Sequence, residues 1–222
     1  MIDNTTLSRL ARAACAALAA AAAAGSLTAC FPLVVGGAVA TGLIATDRRT
    51  SGAQLEDQGI ELRASNRLRE TLGERAHINV TSFNRQVLLT GEVSAAQDRQ
   101  TAEQTVARVE NVRSIVNELV VAAPSSLGDR SNDTLISGKV KASFVDAKDL
   151  FSNAFKVVTE RGVVYLMGRV TEREAKRATE IARGVSGVVK VVRIFEIISE
   201  EELQRLSTQA PASSGNAQRS EP

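Results

Sequence analysis

Val87-Leu88-Leu89-Thr90-Gly91-Glu92-Val93 and Val164-Tyr165-Leu166-Met167-Gly168-Arg169-Val170 spell one pattern, Val-x-Leu-x-Gly-x-Val, at an offset of 77 positions. A match of this length within one chain indicates a duplicated folding unit, with Gly91 and Gly168 as its structural markers. The likeness extends outward. Residues 78–80 correspond to 155–157 at the same offset, and Asn111, Val112, Ile115 and Val116 correspond to Gly187, Val188, Val191 and Val192 at an offset of 76.

Each copy has the same order of periodicities. In the second, Asp133 can cap a helix that runs to Phe144 or a little beyond, and alternating runs follow at residues 154–160 and 163–170, joined around Arg161 and Gly162. Strands this close form a hairpin. Ala175, Ala178, Ala182 and Val185 recur at helical spacing, and their small side chains let that helix sit close to a sheet. A β-branched run at 188–198 closes the unit. The first copy repeats the order with residues 55–72, 78–83, 86–93, 95–109 and 113–122. The strands alternate apolar with polar side chains, as in a sheet that buries one face. The expected class is therefore α+β, with two tandem αββαβ modules, each a three-stranded mixed sheet covered by two helices. At about 65 residues a module has a marginal core, so the two are expected to support each other by packing.

Upstream of the repeat, Arg9 and Arg12 precede an uncharged Ala/Leu stretch at residues 13–27, the layout of a secretory leader. A membrane-spanning helix is disfavoured because alanine is weakly hydrophobic and Pro32, Gly36, Gly37 and Gly42 interrupt the second half of the run. Leu27-Thr28-Ala29-Cys30 ends the leader as a lipobox, whose cysteine in bacterial lipoproteins receives a diacylglycerol and, after cleavage, an N-acyl chain. The expected organisation is a signal peptide at 1–29, a flexible tether at 30–54, modules at 55–123 and 131–199, a linker at 124–130 and a mostly disordered tail at 200–222. Phe31, where an aspartate would signal inner-membrane retention, directs a lipoprotein to the outer membrane, facing the periplasm.

The 193 residues after the leader carry 25 basic and 24 acidic side chains, which argues against a nucleic-acid partner. Aromatics make up 3% of the chain and Trp is absent, so no stacking platform for bases or sugars is expected. His77 is the only histidine, Cys15 leaves with the leader and Cys30 is consumed as a thioether. No catalytic triad, metal site, cofactor or small-molecule substrate is expected, and no enzyme. Glu172, Glu174 and Glu180 alternate with Arg173, Lys176 and Arg177 at the spacing of a solvated charged helix face.

The first helix of the second copy is less ordinary. On a helical projection Ile136, Val140, Ser143 and Phe144 share the core stripe, whereas Leu135, Ala142 and Val145 fall on the other side with Gly138, Lys139 and Lys141. Such a face suits a plain solvated surface, a patch covered by the other module, or contact with an anionic membrane surface.

The repeated order, together with Ile78-Asn79-Val80-Thr81, Ser131-Asn132-Asp133-Thr134 and the run from Leu166 through Gly168 to Val170-Thr171-Glu172-Arg173-Glu174-Ala175-Lys176, resembles the BON-domain family of bacterial envelope proteins. Two such modules behind a lipobox resemble the dual-BON lipoproteins of the Gram-negative outer membrane. The resemblance implies binding of anionic phospholipid through the helix just described, at Leu135, Lys139, Lys141 and Val145, with Val140 projecting inward. It also implies a role in envelope integrity, at the division site in some relatives. The alternative is a periplasmic scaffold whose partners are envelope proteins of outer-membrane assembly or division.

Overall fold

A computed structural model describes residues 47–208. The leader, Cys30, most of the tether and the end of the tail lie outside the described residues. The elements are α1 (Ser51–Leu72), β1 (Ala76–Phe83), β2 (Gln86–Val93), α2 (Ala96–Ala107), β3 (Ser114–Asn117), β4 (Val120–Val121), α3 (Leu127–Asp146), β5 (Phe155–Glu160), β6 (Val163–Val170), α4 (Glu172–Arg183), β7 (Lys190–Ile197) and α5 (Glu200–Thr208). The fold is α+β with two mixed sheets.

In each module the middle strand of the repeat pattern takes an antiparallel partner from the hairpin and a parallel one from beyond the helix. β2 lies between β1 and β3, with β4 continuing the parallel side; β6 lies between β5 and β7. Gly91 stands opposite Ile78, and a Cβ there would run into the carbonyl oxygen of His77. Gly168 stands opposite Phe155, with only 2.5 Å from an added Cβ to the carbonyl of Ala154. Both repeat glycines therefore sit where the neighbouring backbone leaves no room for a side chain.

Helices cover one face of each sheet. α1 buries Ile60, Ala64, Leu68 and Leu72 at steps of four over Val87, Leu89 and Val93, beside Ala102 and Val106 of α2. In the second module Ile136, Val140 and Phe144 meet Val164, Leu166 and Val170, and the alanines Ala175, Ala178 and Ala182 bring α4 close.

The opposite sheet faces correct the expectation that each sheet buries one face only. Leu88, Phe83 and Val116 of the first module pack against Tyr165, Met167, Ile194 and Val192 of the second, forming a third apolar cluster between the sheets. The side chains that alternate outward from the helices are thus buried as well. The layers run helices, sheet, sheet, helices, and the modules support each other as their small size requires.

Four local boundaries also differ from expectation. The final strand of the first module is broken at Glu118 and Leu119: Asn117 holds Arg99 O and Glu103 with its amide, and Leu119 turns into the core beneath α1 and α2. α3 starts at Leu127, inside the stretch read as linker, because Ser126 caps it in a reciprocal capping box with Asp129. Asp133 is accordingly not a cap. The tail starts with α5, whose first turn holds Glu200, Glu201 and Glu202, where the helix dipole favours acid. The tether becomes part of the folded body at Asp47, because Arg48 and Arg49 find carboxylates that only the folded modules present.

Candidate lipid-facing helix and the residues that frame it

α3 spans 20 residues, about 30 Å at 1.5 Å per residue. Its inward stripe is Asp133, Ile136, Val140 and Phe144, all buried. Leu135 is 64% exposed and Val145 69%, and Lys139 and Lys141 are exposed beside them. The structure brings these four onto the outer side of one helix. Val140 is fully buried and takes no part in that surface. Gly138 lies between them with open space around it. Leu127, 81% exposed, extends the same side to the first turn of the helix. At 100° per residue Leu127, Leu135, Ala142 and Val145 fall within an arc of roughly 80°, with Lys139 and Lys141 on its two flanks. Leu127 falls in the expected linker, and the local signal for its place in the helix is Ser126 followed three residues later by Asp129. Near the C-terminal end Asp149 is paired with Arg177 at 2.9 Å, which leaves Lys148 and Asp146 as exposed charges around Val145.

Asp133 and its counterpart Asp57 hold the helices to the hairpins. Asp133 accepts from the backbone N–H of Arg161 and of Gly162, each at 2.8 Å. Asp57 accepts from the N–H of Asn84 and Arg85 and from the Ser82 hydroxyl, and pairs with Arg49 at 2.8 Å. All four turn residues have positive φ, from 49° to 73°, so both hairpins close with the left-handed pair of a type I′ turn. Burial by itself would raise the Asp57 carboxyl, but the bonds from Ser82, Arg85, Arg49 and Asn84 outweigh it and hold the group below the usual carboxylate range.

A concavity of about 650 Å³ lies between the modules, lined by Leu68, Arg69, His77, Asn79, Val158 and Glu160 among others. His77 Nδ1 is 3.1 Å from a carboxylate oxygen of buried Glu92, which Arg161 of the second module also approaches at 3.4 Å. These groups are engaged with one another across the module boundary. Among the described residues no cluster of three or more His, Cys, Asp or Glu could hold a metal ion, and no helix is long and apolar enough to cross a membrane.

The BON domain pattern matches residues 56–123 and again 132–198. The outer membrane lipoprotein DolP of Haemophilus influenzae is 34% identical over 175 residues, covering 78% of this chain and 90% of that protein. A 21 kDa hemolysin of Actinobacillus pleuropneumoniae is 32% identical over 154 residues, covering 68% and 79%. A solved structure of CdsD, a structural protein of the type III secretion system of Chlamydia trachomatis, covers 72% of this chain and 99% of its own at 13% identity, with a TM-score of 0.27 that is too low to carry an argument. The duplicated αββαβ order, the paired glycines and a relative matched over most of its length agree: the chain belongs to the BON-domain family, as a dual-BON, DolP-like protein.

Proposed function

We propose that this chain is a non-enzymatic lipoprotein anchored through Cys30 in the outer membrane, facing the periplasm, and that α3 of its second module binds anionic phospholipid. The observation that carries the reading is the outer side of α3, where Leu127, Leu135 and Val145 are exposed in one stripe between Lys139 and Lys141. Apolar groups of this size enter the acyl boundary while the ammonium groups meet phosphate headgroups, each basic residue contributing about 1 kcal/mol near an anionic surface. The lipobox at residues 27–30 and the similarity to an outer membrane lipoprotein support the location. Support of envelope integrity, including at division sites, follows as the task of such a lipid sensor.

The test is co-sedimentation of the soluble, unlipidated protein with phosphatidylglycerol vesicles. Binding is expected, Lys141→Ala is expected to weaken it about fivefold, and Leu135→Glu with Lys139→Glu to abolish it. Unchanged sedimentation of the double variant removes the reading. A protein cross-link that survives the double variant would point instead to the scaffold role.

A further inference from the structure

Chain order alone would fasten the anchor to the first module, because the segment from Cys30 runs into α1. The contacts are otherwise. Arg48 reaches the second module, where its guanidinium makes two bonds of 2.7 Å to the two carboxylate oxygens of Glu174 and one of 2.9 Å to the carbonyl of Arg169. Arg169 in turn donates to the carbonyl of Arg48 at 3.4 Å. The Glu174 side chain is completely buried and that of Arg48 is 7% exposed, so the pair is a buried, bidentate one. Arg49, the next residue, turns the other way: it pairs with Asp57 at 2.8 Å and lies 4.2 Å over the ring of Phe83 in the first module.

The place where Arg48 docks matters. Its guanidinium also lies 5.8 Å from the ring centroid of Phe151, in the turn that follows α3. Phe151 is 59% exposed in a chain with 3% aromatics, and it stands five residues beyond the end of the helix. The chain leading to the anchor therefore meets the folded body at the first turn of α4 and at the turn that follows α3, where Lys148 and Phe151 are exposed. Between Cys30 and Arg48 lie 17 residues, which span at most about 60 Å.

We propose that Arg48 is a positioning residue for membrane contact: it ties the anchor segment to the second module beside α3, so that the lipid anchor holds that helix against the bilayer. The inference rests on the lipid-contact reading of α3. With Arg48 released, the segment remains attached through Arg49 to the first module, and the anchor then restrains a body whose lipid-facing helix is no longer held near the point of attachment. Loss of Arg48 should lower the effective concentration of α3 at the surface without altering its own affinity.

The mature lipidated protein carries no free thiol once Cys30 is acylated, so Ala142→Cys on the outer side of α3 can be labelled with a fluorophore. In phosphatidylcholine vesicles with a minor share of phosphatidylglycerol and a nitroxide lipid, the label is expected to be quenched. Arg48→Ala and Glu174→Gln should each reduce the quenching about twofold or more, and Arg48→Lys less. Glu174→Gln carries the comparison if Arg48→Ala does not fold. Binding of the unlipidated Cys30→Ser protein to phosphatidylglycerol vesicles should be the same with and without Arg48→Ala. Equal quenching in the presence and absence of Arg48, or a parallel loss of binding by the unlipidated protein, overturns the positioning role. An unlipidated protein that does not bind at all overturns the lipid-contact reading instead.

Discussion

Glu160 closes β5 with its side chain buried at the module boundary, where it accepts a hydrogen bond of 2.9 Å from Asn79 of the first module. Burial pushes its carboxyl above the ordinary range, and the nearby charge of Glu92 adds to the effect while Asn79 and His77 oppose it. The folded protein thus holds this proton more tightly than the unfolded chain does. Stability from this group is fully present below the unfolded value of about 4.3 and is lost as pH rises through the folded one. Glutamine keeps an acceptor for Asn79 and has no charge to bury. Glu160→Gln is therefore expected to raise the melting temperature at pH 7, and the gain should vanish below pH about 4.3; thermal unfolding followed by circular dichroism across that window checks it. No periodicity marks such a residue, because Glu160 at the end of an alternating run reads as the polar start of a turn. Its hydrogen-bond partner, Asn79, comes from the other module.

At the scale of elements, α3 and the hairpin of β5 and β6 depend on one carboxylate. Asp133 accepts from one buried and one partly buried N–H group at the turn, where Arg161 has a φ of 52° and Gly162 of 73°. A lost helix cap costs typically about 1 kcal/mol, whereas removing an ionised acceptor from two N–H groups costs about 1.5–3 kcal/mol per bond. Asp133→Ala should accordingly destabilise the protein by about 3 kcal/mol or more in urea unfolding. A loss near 1 kcal/mol would mean that the two turn N–H groups find other partners once Asp133 is removed. The elements themselves were largely legible. Val-x-Leu-x-Gly-x-Val locates both central strands, and the alanine spacing locates α4, since period 2 and period 3.6 are local properties. The outer side of α3 was legible for the same reason: Leu135 and Val145 fall off the core stripe. What local pattern does not contain is the partner of a charged side chain. Ser126 and Asp129 could have announced the true start of α3, and with it Leu127. Nothing near Arg48 or Arg49 announces Glu174 or Asp57, which are 126 and 8 positions away; Glu174, expected on a solvated helix face, is completely buried.

Across the whole molecule, the cluster between the sheets sets how the modules unfold. Leu88 and Met167 are fully buried there, and around them Lys156 pairs with Glu61 at 2.7 Å and Asn84 donates to Glu196 at 2.6 Å. Each module keeps its own helix-side core, so in principle each could melt separately. Removing one sheet from the other would expose Phe83, Leu88, Tyr165, Met167 and Ile194 together. At about 1.5–3 kcal/mol for each buried side chain of this size, that exposure is comparable to the whole stability of a domain. The modules should therefore unfold in a single calorimetric transition. Leu88→Asp places a carboxylate in the first module but against the second, leaving both helix-side cores intact. Residue-resolved hydrogen exchange should then show protection falling in α3, β6 and α4 of the second module as well as in the first. Loss of protection confined to the first module would mean that the sheets touch without sharing their stability, and that the second module can present α3 to the bilayer unaided.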